Sequence, residues 1–110
     1  MENIFEGRLV ARTTTGARVD LGFTQIEVLG MAAETDVKIG LHGEHVTLSR
    51  NGGGLNGTVA DVRYLGEATR CQVRVGAATL IANISPREVV RIGDQVGLDI
   101  DASSWVVLAK

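Results

Sequence analysis

Residues 49–54 (SRNGGG) carry the side chains best suited to binding chemistry in this sequence. A serine hydroxyl, an arginine guanidinium and the backbone N–H groups of a glycine-rich turn are hydrogen-bond donors that can surround an oxyanion. Ser49, Arg50 and Asn51 are therefore the candidate ligand-binding residues. The simpler interpretation is a linker, because three glycines after an asparagine leave the backbone conformationally free.

Two other pairs of residues have spacings that invite a chemical interpretation. His42 and His45 are three positions apart, but metal sites with this spacing usually need a helix or a third ligand. We expect them in a surface turn and predict no metal site. Asp99 and Asp101 project from one face of a predicted strand, where paired carboxylates can do acid–base work. Because no nucleophile or cation accompanies them, we expect a solvated strand face.

The sequence lacks the residue sets of catalytic sites. No Ser/His/Asp or Cys/His set is arranged for nucleophilic catalysis, and there is no Gly-x-x-x-x-Gly-Lys-Ser/Thr phosphate loop. The single cysteine, Cys71, is in phase with Val73 and Val75 of an alternating run, which predicts a buried structural thiol. We therefore predict that the chain is not an enzyme and has no cofactor.

Length, charge and composition narrow the class of protein. A chain of 110 residues forms one domain, or two very small units that share a core. The formal net charge of −2 and the scarcity of aromatic residues argue against binding of nucleic acid. No apolar run approaches the ~20 residues that cross a bilayer, and the acidic start lacks a signal-peptide pattern. One cysteine excludes an internal disulfide, so we expect a cytoplasmic protein.

Alternating hydrophobicity predicts a succession of short strands. The clearest run, residues 57–66 (GTVADVRYLG), opens and closes on a glycine and precedes a second alternating run at residues 70–75 (RCQVRV). Two such runs joined by a glycine-marked turn predict a β-hairpin. The remaining predicted strands are residues 5–11, 17–21, 24–28, 36–41, 45–49, 79–84, 94–100 and 104–108.

One short helix is predicted after residue 84. Ser85 can cap it, Pro86 suits its first position and Glu88 completes a capping box. Gly93 provides a stop after about two turns.

The two halves of the chain repeat each other. The corresponding segments are 5–11 with 55–61, 19–22 with 73–76, 26–28 with 80–82, and 45–48 with 105–108. Five short strands in each half are the number expected of a small barrel of the OB type.

We therefore predict an all-β fold of two OB-like barrels with one short helix. The first half is residues 1–50, the glycine-rich seam is 51–54, and the second half is 55–110. Neither half alone buries much apolar surface, so we expect the two to pack closely, with exchange of strands as one arrangement.

Residues 57–66 resemble the signature strand of the TOBE (transport-associated OB) domain, the C-terminal regulatory part of ATPase subunits in ABC importers. The resemblance continues through residues 70–75 and through 92–98 (IGDQVGL), which is similar to the family's GDxVxL. Residues 3–7 (NIFEG) resemble its NxFEG. Residues 40–50 (GLHGEHVTLSR) resemble GIRPExVxLSR but have His42 and Gly43 where the family has Arg-Pro.

The resemblance implies a non-catalytic regulatory or dimerisation domain of an ABC transporter ATP-binding subunit, with the ATPase core absent from this chain. Its implied partners are that ATPase core, a second ATPase subunit and, indirectly, the membrane subunits. These partners imply that the protein is a homodimer at the periphery of the inner membrane. The alternative is a small molybdate- or tungstate-binding protein of the molbindin type. Residues 49–51 look like the SARN element of the molybdate-binding relatives, with one residue missing.

Overall fold

The computed structural model describes residues 2–29, 35–49, 54–85 and 87–108, and these form two five-stranded antiparallel sheets. The strands are β1 (Asn3–Arg12), β2 (Gly16–Asp20), β3 (Gln25–Leu29), β4 (Asp36–Leu41), β5 (Val46–Ser49), β6 (Leu55–Tyr64), β7 (Thr69–Val75), β8 (Ala78–Ile84), β9 (Gln95–Ile100) and β10 (Val106–Leu108). Two 3₁₀ helices, Gly43–His45 and Ala102–Ser104, precede β5 and β10. Each sheet curls as a half barrel, which confirms the predicted all-β architecture.

The chain divides into two compact units that differ from its two sequence halves. The first unit contains Met1–Leu41 and Asp101–Lys110, and the second contains His42–Ile100. The strand order is β10-β4-β1-β2-β3 in the first unit and β5-β9-β6-β7-β8 in the second. The last strand of each sequence half therefore completes the sheet of the other half, which is an exchange of strands.

The predicted boundaries at residues 50 and 55 separate the repeated halves of the sequence. As boundaries of those halves they stay a prediction. The compact units have different boundaries because β5 pairs with β9 and β10 pairs with β4. Residues 51–53 of the predicted seam lie outside the described residues.

Cross-strand register shows that the two units repeat the same architecture. Gly7 pairs with Val37 in the first unit, and Gly57 pairs with Val96 in the second. In each unit the first long strand, β1 or β6, then carries an irregularity of register two residues beyond that glycine. The sequence repeat of residues 5–11 with 55–61 thus has a structural counterpart.

One segment of the repeat is displaced by a residue from the predicted correspondence. Leu108 pairs with Lys38, and Ser49 pairs with Gly97. Lys38 and Gly97 are equivalent because each follows the valine that pairs with the equivalent glycine. Ser49 therefore corresponds to Leu108, whereas the sequence comparison had set Leu48 against it.

Alternation places the apolar side chains of each unit on the inner face of its sheet. The buried apolar residues of the first unit are Ala17, Val19, Leu21, Ile26, Val28, Val37, Ile39, Leu41 and Trp105. Those of the second are Val46, Val59, Cys71, Val73, Val75, Leu80, Ala82, Ile84, Val90, Val96 and Leu98. Gly57 permits a close approach of strands, since a Cβ there would lie 2.8 Å from the carbonyl oxygen of Arg74.

The predicted two-turn helix after residue 84 is wrong. The N–H of Glu88 donates to the carbonyl of Ser85 at 3.0 Å, so the capping residue closes a single turn. The N–H of Asp94 then closes a turn on the carbonyl of Arg91 at 3.0 Å. In this turn Gly93 donates to the carbonyl of Val59 at 2.8 Å, and Val59 donates to that of Asp94 at 2.9 Å. Hydrogen bonds to β6 thus replace those of a second helical turn. No helix of the described residues is long and apolar enough to cross a membrane.

Candidate functional site

Ser49 is the last residue of β5, an edge strand of the second sheet, and it is half-buried. It pairs across the sheet with Gly97 of β9, and Gly97 pairs on its other side with Asn56 of β6. Arg50 and Asn51, the other two predicted ligand-binding residues, lie outside the described residues. Their place in a site stays a prediction.

The outward-facing residues of β5, β9 and β6 form a surface that we call the polar face. Its members are Thr47, Ser49, Asn56, Thr58, Gln95, Gly97 and Asp99. Gln95 donates from Nε2 to the Oγ1 of Thr58 at 3.0 Å, at one end of this surface. Gly97 lies between Ser49 and Asn56 in this row, and its backbone is buried. The polar face therefore carries hydroxyl and amide groups on either side of a glycine.

The two ends of the candidate segment lie on opposite sides of β9. Ser49 pairs with Gly97, and Leu55 pairs with Leu98. The N–H of Gly54, which immediately precedes β6, donates to the Oδ1 of Asp99 at 3.2 Å. Asn56 and Asp99 were not predicted as members of this region, because only the order β5-β9-β6 brings them near Ser49.

The two histidines flank the start of β5. His42 precedes the 3₁₀ helix Gly43–His45, and its ring meets that of His45 edge-on with centroids 5.8 Å apart. This agrees with the predicted turn between strands. Within the described ranges, no group of three or more His, Cys, Asp or Glu side chains is placed to hold a metal ion.

Asp99 and Asp101 do not share a strand. Asp99 lies in β9 of the second unit, whereas Asp101 follows the end of that strand and precedes the 3₁₀ helix Ala102–Ser104 of the first unit. Both residues are exposed. Their predicted solvent exposure is confirmed, and their predicted common strand is wrong by one residue.

Cys71 is 0% exposed, which confirms the prediction of a buried thiol. Burial raises the pKa of the Cys71 thiol, and the negative charge of Glu88 raises this pKa further. Both effects disfavour the thiolate, which is the reactive form of cysteine. Cys71 therefore belongs to the core rather than to a reactive site.

A groove of about 650 Å³ lies on the first unit. Among the residues that line it are three acids and two bases: Glu6, Arg8, Asp20, Asp36 and Lys38. Arg8 Nε lies 4.0 Å from Asp36 Oδ1. Because the carboxylates outnumber the cations, the net charge of this groove is negative, which disfavours an anion there.

The family model described as the TOBE domain matches residues 39–108, which is more than half of the chain. This match confirms the resemblance drawn from residues 57–66 and 92–98. The family is one of binding domains rather than catalytic ones. No curated protein matches the chain.

A solved structure with a similar fold is that of ModG, described as a cytoplasmic molybdate-binding protein with a cooperative binding mechanism. The two chains are 16% identical, with a TM-score of 0.82 over 96% of this chain and 94% of ModG. The likeness shows that the fold is the tandem OB arrangement of ModG.

The likeness to ModG contradicts the prediction of a regulatory fragment from an ABC transporter ATPase. The match spans 94% of a chain described as a molybdate-binding protein, so the same fold makes up nearly the whole of that chain. The implied ATPase partners lose their support with that prediction. The alternative, an oxyanion-binding protein, agrees better with the fold.

Proposed function

Because the chain belongs to the TOBE domain family, we propose that it binds a tetrahedral oxyanion of the molybdate and tungstate class. The observation that carries this proposal is the row Ser49, Gly97 and Asn56, in which two polar side chains flank a glycine. The shared fold with the molybdate-binding protein ModG supports it.

Each residue of the proposed site has a distinct role. The Ser49 hydroxyl and the Asn56 amide donate neutral hydrogen bonds to the oxygens of the ligand. Arg50 contributes a positive charge and a planar set of donors, and Asn51 contributes a further amide. Successive backbone N–H groups of the glycine-rich segment can approach an anion closely because glycine has no Cβ. No covalent bond is made or broken, so the function is binding and release.

We also infer a cytoplasmic location, following that described for ModG, and a second copy of this chain as partner. On the outer face of the first sheet, Ile4 and Val106 flank Gly40 in one row and are 56% and 39% exposed. The next cross-strand pair on that face, Glu6 with Lys38, carries both signs of charge. A second copy related by a two-fold axis can cover the apolar row and set each charge against its opposite.

This partner is tested by sedimentation equilibrium of the wild-type protein and of Ile4→Glu. We expect a dimer or a larger even oligomer for the wild type and a smaller species for the variant. A wild-type monomer at micromolar concentration contradicts the self-association.

Binding is tested by isothermal titration of the full chain with molybdate, tungstate and sulfate. We expect micromolar or tighter binding of molybdate and tungstate. Loss of a hydrogen bond to a charged ligand costs about 1.5–3 kcal/mol, so Ser49→Ala, Arg50→Ala and Asn51→Ala should each weaken binding about 10- to 100-fold. Arg63→Ala, in the exposed part of β6 away from Ser49, is the control. Absence of binding, or binding that none of the three substitutions weakens, overturns the proposal.

A further inference from the structure

We propose that Asp99 is a specificity-determining residue of the oxyanion site, whose carboxylate weakens binding in proportion to the negative charge of the ligand. This inference rests on the proposed function. It goes further by assigning to one side chain the discrimination between singly and doubly charged oxyanions of the same shape.

The carboxylate of Asp99 already makes a contact that a bound oxyanion would make. Its Oδ1 accepts the N–H of Gly54 at 3.2 Å, and Gly54 is the last glycine of the segment that follows Ser49. Oxygens of carboxylates, molybdate and sulfate accept the same backbone donors. Asp99 therefore occupies one donor of the segment and competes with the ligand for it.

The position of Asp99 in the sheet brings its charge close to the site. Asp99 pairs with Thr47, and Ser49 pairs with Gly97, so Asp99 and Ser49 are diagonal neighbours on the polar face. Diagonal neighbours on one face of an antiparallel pair lie about 7–8 Å apart. At that separation a carboxylate repels an anion that contacts the Ser49 hydroxyl.

No basic side chain of the described residues forms an ion pair with Asp99. Ion pairs among these residues include Arg8 with Asp36, Arg18 with Glu27, and Arg63 with Asp61, and none of the three involves Asp99. The negative charge of Asp99 is therefore not offset by those parts of the chain.

The equivalent position in the first unit shows that the fold does not need a carboxylate here. Gly40 pairs with Val106 of β10 in the same register as Asp99 pairs with Thr47 of β5. The same strand position is thus filled by a residue without a side chain in one unit and by an acid in the other. The pairing of the strands therefore does not by itself require an acid at position 99.

The size of the effect follows from the charges and the separation. For charges about 7 Å apart in a water-like medium with partial screening by salt, the carboxylate should weaken binding of a dianion about 3- to 10-fold. Because the Coulomb energy is proportional to the ligand charge, a monoanion should lose only the square root of that factor, about 2- to 3-fold.

The test compares Asp99→Asn with wild type in titrations with molybdate, a dianion, and perrhenate, a tetrahedral monoanion. Asparagine keeps an acceptor for the Gly54 N–H, and Asp99→Gly copies the first unit and serves as a second variant. Glu67→Gln, in the turn of the β6–β7 hairpin roughly 30 Å along the strand, is the control that removes the same charge. Thermal melting checks that each variant is folded.

We expect Asp99→Asn and Asp99→Gly to bind molybdate about 3- to 10-fold more tightly and perrhenate only about 2- to 3-fold more tightly. Both gains should shrink between 20 mM and 500 mM salt, and Glu67→Gln should bind both anions as wild type does. Binding by wild type that the Asp99 variants leave unchanged or weaken overturns the inference alone. The inference is also overturned if the Asp99 variants gain the same affinity for both anions. It is overturned likewise if Glu67→Gln gains as much affinity as the Asp99 variants. Absence of binding by wild type and variants overturns the proposed function together with this inference.

Discussion

The two units share one backbone plan but present different outer faces. Where the second unit has Ser49, Gly97 and Asn56 in one row, the first has Leu108, Lys38 and Glu6. The inner faces are closely alike, with Val19 and Val73 at equivalent buried positions. The comparison teaches that packing constrains the inward residues of this repeat, whereas the outward residues differ and determine what each unit can bind.

The largest expected difference between the units concerns the residue that follows each 3₁₀ helix. Trp105 in the first unit corresponds to Val46 in the second, and both are buried. Trp105→Ala should lower the free energy of unfolding by about 3–5 kcal/mol. Val46→Ala should lower it by at most about 1.5–3 kcal/mol, the contribution of a whole buried valine side chain.

Urea denaturation followed by circular dichroism measures both values. If both variants lost the same free energy of unfolding, Trp105 and Val46 could not be equivalent core positions that hold side chains of different size.

The paired glycines give the next largest effect. A Cβ at Gly57 would lie 2.8 Å from the carbonyl oxygen of Arg74, whereas a Cβ at Gly7 would lie 3.3 Å from that of Asp20. Because backbone moves less readily than a side chain, Gly57→Ala should lower the free energy of unfolding more than Gly7→Ala does. Both losses should fall within about 1–3 kcal/mol. Chemical denaturation of the two variants tests this order, and the reverse order would show that side-chain crowding dominates.

Exchange of outward residues between the units tests the comparison at the proposed site. Ser49→Leu, which copies the first unit, should weaken molybdate binding at least about 10-fold because it removes a donor and adds bulk. The reciprocal Leu108→Ser should leave binding unchanged. Isothermal titration is the measurement. A loss of binding in Leu108→Ser but not in Ser49→Leu would move the site to the first unit.

The smallest expected effect concerns Cys71, whose counterpart in the first unit is Ala17. Cys71→Ala should cost about 1 kcal/mol near neutral pH through lost packing. Burial raises the pKa of the folded-state thiol, so the neutral form stabilises the fold. That contribution is fully present below the unfolded-state pKa, about 8.5, and is lost as pH rises through the folded-state pKa.

Urea denaturation of the wild type should therefore show a decline in stability in the alkaline range that is smaller in Cys71→Ala. A decline of equal size in the two proteins would exclude Cys71 as its source.

The strands were predictable from the sequence because alternation is a local property. Residues 70–75 and 36–41 alternate without interruption, and the structure has β7 and β4 there. The helix after Ser85 failed for a non-local reason. Its capping signals are real, but Gly93 and Asp94 form hydrogen bonds with Val59 of β6 in place of helical ones.

The sequence allowed the exchange of β5 and β10 as one of several possible arrangements. It could not select this arrangement, because a sequence does not specify which sheet edge a short strand joins. Ser49 was predictable as a candidate from its own segment, whereas the position of Asn56 and Asp99 near it was not. Their relation to Ser49 arises when β9 pairs with β5 on one side and with β6 on the other.

The most direct test of the proposed site is anomalous diffraction at the tungsten edge from crystals of the full chain grown with tungstate. We expect a peak on the polar face, within hydrogen-bonding distance of the Ser49 hydroxyl and the segment that follows it. A peak in the groove of the first unit beside Arg8 and Lys38, with none at Ser49, would contradict it.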